Sequence, residues 1–258
     1  MARAAAVAGS LLGVSTNTAV PFADVAATRT PWWFQVYVTR DRTLTELMVR
    51  RAVAAGARAL ILTVDMMALL PPDVNPRNWP DGPGKARMTN LTADEIAAAG
   101  PSGTAMDFCV TVDDIGWLGA LSGLPVLVKG VLRGDDAEAC VAAGAAGVVV
   151  STHGGRRLGP SVTAARALPE VVAAVGDRGE VFVDSGVRTA EHVAAALCLG
   201  ARAVFVGRPL LWGLSARGEH GVAAVLAGLG TDLQQVMLQL GAPTVADLTP
   251  DLVLAPSR

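Results

Sequence analysis

Short apolar runs alternate with Ala- and Leu-rich segments along most of the chain. The runs lack a strict polar alternation, which is typical of parallel strands buried on both faces. The predicted strands cover residues 10–15, 34–38, 59–64, 125–129, 147–151, 180–184 and 203–207. The segments with helical spacing cover part of 1–12 and residues 43–55, 135–142, 164–175, 189–199 and 216–240. This order of strands and helices predicts βαβ units and a parallel sheet.

Polar or charged residues end nearly all of the predicted strands. They are Ser15, Gln35 and Tyr37, Thr63 and Asp65, Lys129, His153, Asp184, and Gly207 with Arg208. In a (β/α)8 barrel such ends converge on one face, where the active site lies. An open doubly wound sheet would usually carry a Gly-rich loop after its first strand, and the sequence has none there. We therefore predict an α/β fold of the (β/α)8 barrel type.

Residues 66–107 interrupt the alternation. This segment is rich in Pro, Gly and Asn and is much longer than an ordinary βα loop, which indicates an active-site lid or excursion. The alternative is a disordered surface insertion without a role. We expect one domain over residues 1–258, with 241–258 as a C-terminal tail.

Composition excludes several classes of protein. Of the 258 residues, 52% are hydrophobic and 17% are charged, so the chain can bury a sizeable core and is not a disordered protein. A net charge of -2 without a basic run predicts neither a nucleic-acid partner nor an anionic membrane surface. No stretch has the apolar length of about 20 residues that a membrane span needs.

The three cysteines, Cys109, Cys140 and Cys198, are far apart and form no CxxC pair. We expect them to be buried, free thiols in a cytoplasmic protein, with no disulfide framework and no metal site.

Two stretches carry candidate chemistry. His153, followed by two glycines and Arg156, offers a general base beside a guanidinium suited to a carboxylate. A histidine in a loop that serves only structure is the alternative. The stretches 184–188 and 206–209 lie at the last two strand ends, where barrels bind phosphate groups. Salt bridges that tie two loops together are the alternative there.

Lys129 ends an otherwise apolar strand. An ammonium group directed into a barrel mouth is costly unless a negative group or an electron-rich ring meets it, which favours a functional role.

Six segments together resemble the FMN-dependent 2-hydroxy-acid oxidoreductases, which include glycolate oxidase, lactate oxidase, mandelate dehydrogenase and the flavin domain of flavocytochrome b2. The segments are FQVY at 34–37, LTVD at 62–65, VLVKG at 126–130, STHGGRRL at 151–158, DSGVR at 184–188 and VFVGRP at 204–209. The resemblance runs from Ala2 to Val253. It implies FMN as the cofactor and oxidation of an L-2-hydroxy acid to the 2-keto acid.

The resemblance also implies roles for individual residues. His153 corresponds to the catalytic base, Asp65 to its carboxylate partner, and Arg156 and Tyr37 to the substrate-binding residues. Lys129 corresponds to the lysine that stabilises the reduced flavin. The other residues implied to bind the cofactor are Ser15, Gln35, Thr63, Ser151, Asp184, Gly186, Arg188, Gly207 and Arg208.

The sequence departs from the family pattern at several positions. Thr152 replaces an asparagine, and Arg157 and Gly159 are unusual within the HGGR segment. Pro72 stands where a second carboxylate-binding arginine is expected, which weakens binding of a small hydroxy acid or favours a larger, more apolar substrate. The region matching the first barrel strand is absent, so we count seven strands and expect an N-terminally shortened barrel.

Three hypotheses for function follow. The first is FMN-dependent oxidation of a small 2-hydroxy acid, the second is FMN-dependent oxidation of a larger peptide or natural-product intermediate, and the third is a flavin-free remnant with a structural role. The first is favoured, because folding alone requires neither His153 nor Lys129. We also expect a homo-oligomer.

Overall fold

The computed structural model describes residues 1–66, 88–157 and 161–253. Seven parallel strands form one sheet in the chain order β1 to β7. The strands are β1 (Leu12–Ser15), β2 (Trp32–Val36), β3 (Leu60–Thr63), β4 (Val126–Val131), β5 (Gly147–Val150), β6 (Glu180–Val183) and β7 (Ala203–Val204). Every predicted strand is present. The largest shift of a whole strand is in β2, which begins at Trp32, because the two tryptophans before Phe34 also pack within the sheet.

Nine α-helices are described before, between and after the strands. They are α1 (Ala2–Val7), α2 (Phe22–Ala26), α3 (Arg42–Ala54), α4 (Ala93–Gly103), α5 (Asp113–Ser122), α6 (Gly134–Ala142), α7 (Ala164–Val175), α8 (Ala190–Cys198) and α9 (Arg208–Leu240). The predicted bounds of α7 match those observed. Helix α9 begins eight residues before the predicted start and contains a kink at Arg217 and Gly218, where Gly218 has a φ of 58°.

The side chains of the strands alternate between two apolar environments. Outward-facing residues such as Phe34, Leu62 and Val128 pack under the helices in the main core. Inward-facing residues form a smaller cluster inside the curved sheet, which contains Ala59, Ile61, Leu127, Val149 and Phe182, with Trp33 and Phe205 against it. Burial on both faces explains why the strand sequences show continuous apolar runs.

The two edge strands face the same interior space. Gly13 on β1 and Phe205 after β7 line one cavity, and among the described residues β1 and β7 do not pair with each other. A curved parallel sheet of seven strands with helices outside it is the expected barrel without one strand, so the predicted fold class is confirmed.

The described part of the segment 66–107 is ordered against the body of the protein. Thr92 and Glu95 form a capping box at the start of α4, and the Glu95 carboxylate accepts two hydrogen bonds from Arg51 on α3, at 2.7 and 2.8 Å. Thr39 forms an antiparallel bridge with Met106. Residues 88–107 are therefore structured, and the role of the segment as a lid stays a prediction. Residues 67–87, including Pro72, lie outside the described residues.

Two expectations about exposure and hydropathy need correction. Cys140 and Cys198 are buried as expected, but Cys109 is exposed, because it follows α4 in an irregular segment at the surface. Helix α9 is long and apolar enough, by length and composition, to cross a membrane, so the expectation that no such stretch exists is wrong. In this structure α9 packs against α1 and α8. Four residues after α9 join a small cluster around Cys198: Ala242, Leu248, Leu252 and Val253.

Candidate active site

Polar side chains line a cavity of about 340 Å³ at the carboxyl ends of the strands. Side chains alternate between the two faces of the sheet, so every second residue of a strand points inward. Two positions after the inward-facing apolar layer, the next inward-facing residue is polar. Ser15, Gln35, Thr63, Lys129, Ser151 and Asp184 occupy these positions. The predicted residues that line the cavity are Ser15, Gln35, Tyr37, Lys129, His153, Arg156, Asp184, Gly186, Arg188, Gly207 and Arg208.

His153 pairs with Asp65 across the barrel mouth. Its Nδ1 lies 2.9 and 3.1 Å from the two carboxylate oxygens of Asp65, and both side chains are largely buried. An ionised carboxylate accepts hydrogen bonds only, so Nδ1 carries the proton, and in the neutral imidazole Nε2 has the lone pair. Since His153 also lines the cavity, Nε2 is the group suited to accept a proton there.

Close contact with Gly130 fixes the position of Asp65. Gly130 has a φ of 109°, and a Cβ atom built there would lie 2.6 Å from the Asp65 Cβ. A glycine is therefore required at this point of β4, because any larger residue would displace the carboxylate that orients His153.

Lys129 on β4 contacts three side chains that follow strands β3, β5 and β6. Its Nζ donates to Ser151 Oγ at 2.8 Å and lies 3.3 Å from Asp184 Oδ2 and 4.0 Å from Asp65 Oδ2. These contacts compensate for the burial of the ammonium group and direct it to the cavity that it lines.

Tyr37 and Arg156 line the cavity from the segments that follow β2 and β5. Tyr37 directly follows β2, and Arg156 follows the turn that carries His153. Burial and the negative charge of Asp65 raise the pKa of Tyr37, partly offset by the positive charges of Arg157 and Arg156. The Tyr37 phenol is therefore a hydrogen-bond donor at neutral pH, and it lines the same cavity as the Arg156 guanidinium, which can bind a carboxylate.

Two arginines stand at the end of the cavity formed by the last two strands. Arg208, the first residue of α9, donates to the carbonyl of Gly154 at 2.9 Å, and the Arg188 guanidinium lies 5.4 Å from the centre of the Trp212 ring. Within the part of the chain that the structure describes, neither arginine has a carboxylate partner. Their charge is therefore available to a phosphate group, together with the backbone of Gly186 and Gly207.

The donor set of this cavity fits FMN. An apolar floor of Ile61, Val149 and Phe205 suits a flat ring system, Lys129 offers a cation beside it, and the two arginines lie where a phosphate would be bound. The cavity volume of about 340 Å³ lies within the usual range of cofactor sites.

Three predicted residues do not line this cavity. Asp65 acts on it through His153, Thr63 accepts a hydrogen bond from Gln35 at 2.5 Å, and fully buried Ser151 contacts Lys129. Gly13, the apolar floor residues and Ser185 also line the cavity and were not among the predicted site residues. The floor could have been found by counting two residues back from each polar strand end.

Comparison with known proteins agrees with this geometry. Residues 1–255 match the FMN-dependent dehydrogenase family. The chain is 41% identical to the L-lactate oxidase of Nostoc sp., over 96% of this chain and 72% of that protein. It is 40% identical to glycolate oxidase 1 of Zea mays, over 96% of this chain and 70% of that protein. The crystal structure of mandelate oxidase with (S)-2-phenylpropionate matches 96% of this chain and 70% of its own, with a TM-score of 0.85 and 36% identity.

The fold and site define a flavin-dependent oxidoreductase. The chain belongs to the FMN-dependent dehydrogenase family, which confirms the predicted family and FMN as its cofactor. It spans about seven tenths of the length of the relatives named here.

Proposed function

We propose that this protein oxidises an L-2-hydroxy acid to the corresponding 2-keto acid with FMN bound in the cavity. The observation that carries the proposal is that His153, paired with Asp65 at 2.9 Å, lines the same cavity as Arg156 and Lys129. Bound FMN would accept the two electrons and one of the two hydrogens that the hydroxy acid loses, and the other hydrogen leaves as a proton to His153. The relatives whose names describe lactate and glycolate oxidases support the substrate class.

The protein's own residues bind the substrate and move its proton. Arg156 binds the carboxylate of the hydroxy acid through paired N–H groups, and Tyr37 donates a hydrogen bond to the same molecule. Both groups orient the substrate toward Nε2 of His153.

His153 accepts the substrate proton at Nε2. The resulting imidazolium is stabilised by the Asp65 carboxylate at Nδ1, where the hydrogen bond already exists. Lys129 provides positive charge near the site where negative charge collects as the substrate is oxidised.

An anaerobic reduction experiment tests the proposal. The FMN-loaded protein is mixed with L-lactate, glycolate, L-mandelate and longer L-2-hydroxy acids, and the flavin absorbance is followed. We expect bleaching by at least one acid and formation of the 2-keto acid in equal amount. A protein that binds FMN but is bleached by none of them would contradict the proposal.

The homo-oligomeric state and the cytoplasmic location remain proposals from the sequence. Size-exclusion chromatography with light scattering tests the first, and fractionation of the source cells tests the second.

A further inference from the structure

Ser185 has a backbone conformation that is unfavourable for serine. It follows β6 with a φ of 71°, one of three positive values at non-glycine residues in the described chain; the others are at Arg29 and His153. A side chain in this left-handed region is strained, and such strain persists only where surrounding contacts hold it.

The Ser185 hydroxyl uses its full hydrogen-bonding capacity. It accepts from the backbone N–H groups of Thr152 at 3.1 Å and Gly154 at 2.9 Å, and it donates to Asp184 Oδ1 at 2.6 Å. The two N–H donors flank His153, so a single hydroxyl group fixes the backbone on both sides of the catalytic base.

Asp184 extends this contact to the lysine of the cavity. Its other oxygen, Oδ2, lies 3.3 Å from Lys129 Nζ, and Lys129 donates in turn to Ser151 Oγ. Ser151 Oγ also accepts from the backbone N–H of His153 at 3.0 Å. The contacts thus form a closed ring that links the base to the ammonium group.

We propose that Ser185 is a positioning residue that fixes the His153 turn relative to Lys129. This role rests on the proposed oxidation of a hydroxy acid, in which His153 must accept a proton at a defined place. The strained backbone of Ser185 is maintained because glycine, which suits this conformation, would lack the hydroxyl group.

Two substitutions separate positioning from backbone structure. Ser185→Ala removes the hydroxyl and keeps the strain, whereas Ser185→Gly removes the hydroxyl and relieves the strain. We expect kcat to fall about tenfold or more in both variants, with KM changed by less than about twofold. We expect Tm to fall in Ser185→Ala and to be higher in Ser185→Gly than in Ser185→Ala.

Arg29→Gly is the matched control. Arg29 is exposed, lies outside the cavity and has a φ of 58°, so glycine relieves similar strain without changing the site. We expect this variant to keep the kcat of the unchanged protein.

Amide hydrogen exchange of FMN-free protein gives a readout that is independent of activity. The amides of Thr152 and Gly154 should exchange faster in both Ser185 variants and at the original rate in Arg29→Gly. Ser185→Gly with unchanged kcat, or with unchanged exchange at these two amides, would overturn the proposal. If no hydroxy acid bleaches the unchanged protein, the proposed function fails, and hydrogen exchange still decides whether Ser185 holds the turn.

Discussion

The substitution Asp65→Asn should slow flavin reduction because it removes the charge that stabilises protonated His153. Asparagine has nearly the same volume as aspartate, which matters because Gly130 packs directly against the Asp65 Cβ. Its amide oxygen can still accept a hydrogen bond from His153 Nδ1. The variant therefore changes charge with little change in packing.

The geometry sets the magnitude of the effect. At 2.9 Å, a unit charge pair has an attraction of about 6 kcal/mol at an effective dielectric constant of about 20. Both side chains are more than four-fifths buried, so part of this attraction only offsets lost hydration. A net value of about 1.5–3 kcal/mol for a charge-assisted hydrogen bond corresponds to about a 10- to 150-fold decrease in rate.

Anaerobic stopped-flow reduction at saturating hydroxy acid measures this rate directly, after FMN content has been equalised. Asp135→Asn is the control, because Asp135 forms an exposed ion pair with Arg133 away from the cavity. A reduction rate for Asp65→Asn within about threefold of the original, below the range worked out above, would refute the role assigned to the carboxylate.

Three further changes test other parts of the site. Gly130→Ala should lower the free energy of unfolding by about 2 kcal/mol or more, since φ is 109° and the new Cβ would meet Asp65, and thermal or urea unfolding measures this loss. Lys129→Met should weaken FMN binding about tenfold in a fluorescence titration. The cavity loses the Lys129 cation, and the carboxylate of Asp184, 3.3 Å from it, is left without its partner in the same cavity. Tyr37→Phe should remove a loss of stability at alkaline pH. Burial raises the pKa of Tyr37 in the folded state, so the folded protein binds more protons than the unfolded chain above about pH 10, and its stability falls there as pH rises.

Each of these expectations has a contradicting result. Unchanged unfolding of Gly130→Ala would mean that the Asp65 contact can relax without cost. Unchanged FMN affinity of Lys129→Met would remove Lys129 from the cofactor site. An alkaline loss of stability equal in Tyr37→Phe and in the original protein would assign that loss to other groups.

The fold was predictable because the central strands, such as β3 and β5, are buried on both faces. Continuous apolar runs such as 147–150 and 181–183 are visible in sequence, and their buried residues lie in the observed sheet. The exact strand ends were less predictable, since pairing with a neighbour decides where a strand stops. Helix α4 was not predicted, because its Ala-rich sequence is interrupted by Gly100 and Pro101 and its anchor, Arg51, lies on another helix.

For the site, as for the fold, features set by neighbouring residues could be predicted from the sequence, whereas contacts between distant residues could not. Once a barrel is predicted, a polar residue at the carboxyl end of a strand is expected to face the site. This is why Lys129 and Asp184 could be predicted as site residues from the sequence. The pairing of His153 with Asp65, 88 positions away, depended on resemblance to a known family, since no local pattern contains it.

The turn after β5 shows why the remaining residues escaped prediction. The glycines at 154 and 155, with φ of 71° and 75°, indicate in sequence that the chain bends after His153. They do not indicate what holds that bend, and two flexible glycines directly after His153 would increase its mobility. The restraint comes from Ser185, on the neighbouring strand end, and from Arg208, which donates to the Gly154 carbonyl. A flexible turn of this kind can therefore serve as a rigid site only when the adjacent strand ends supply hydrogen bonds to its backbone.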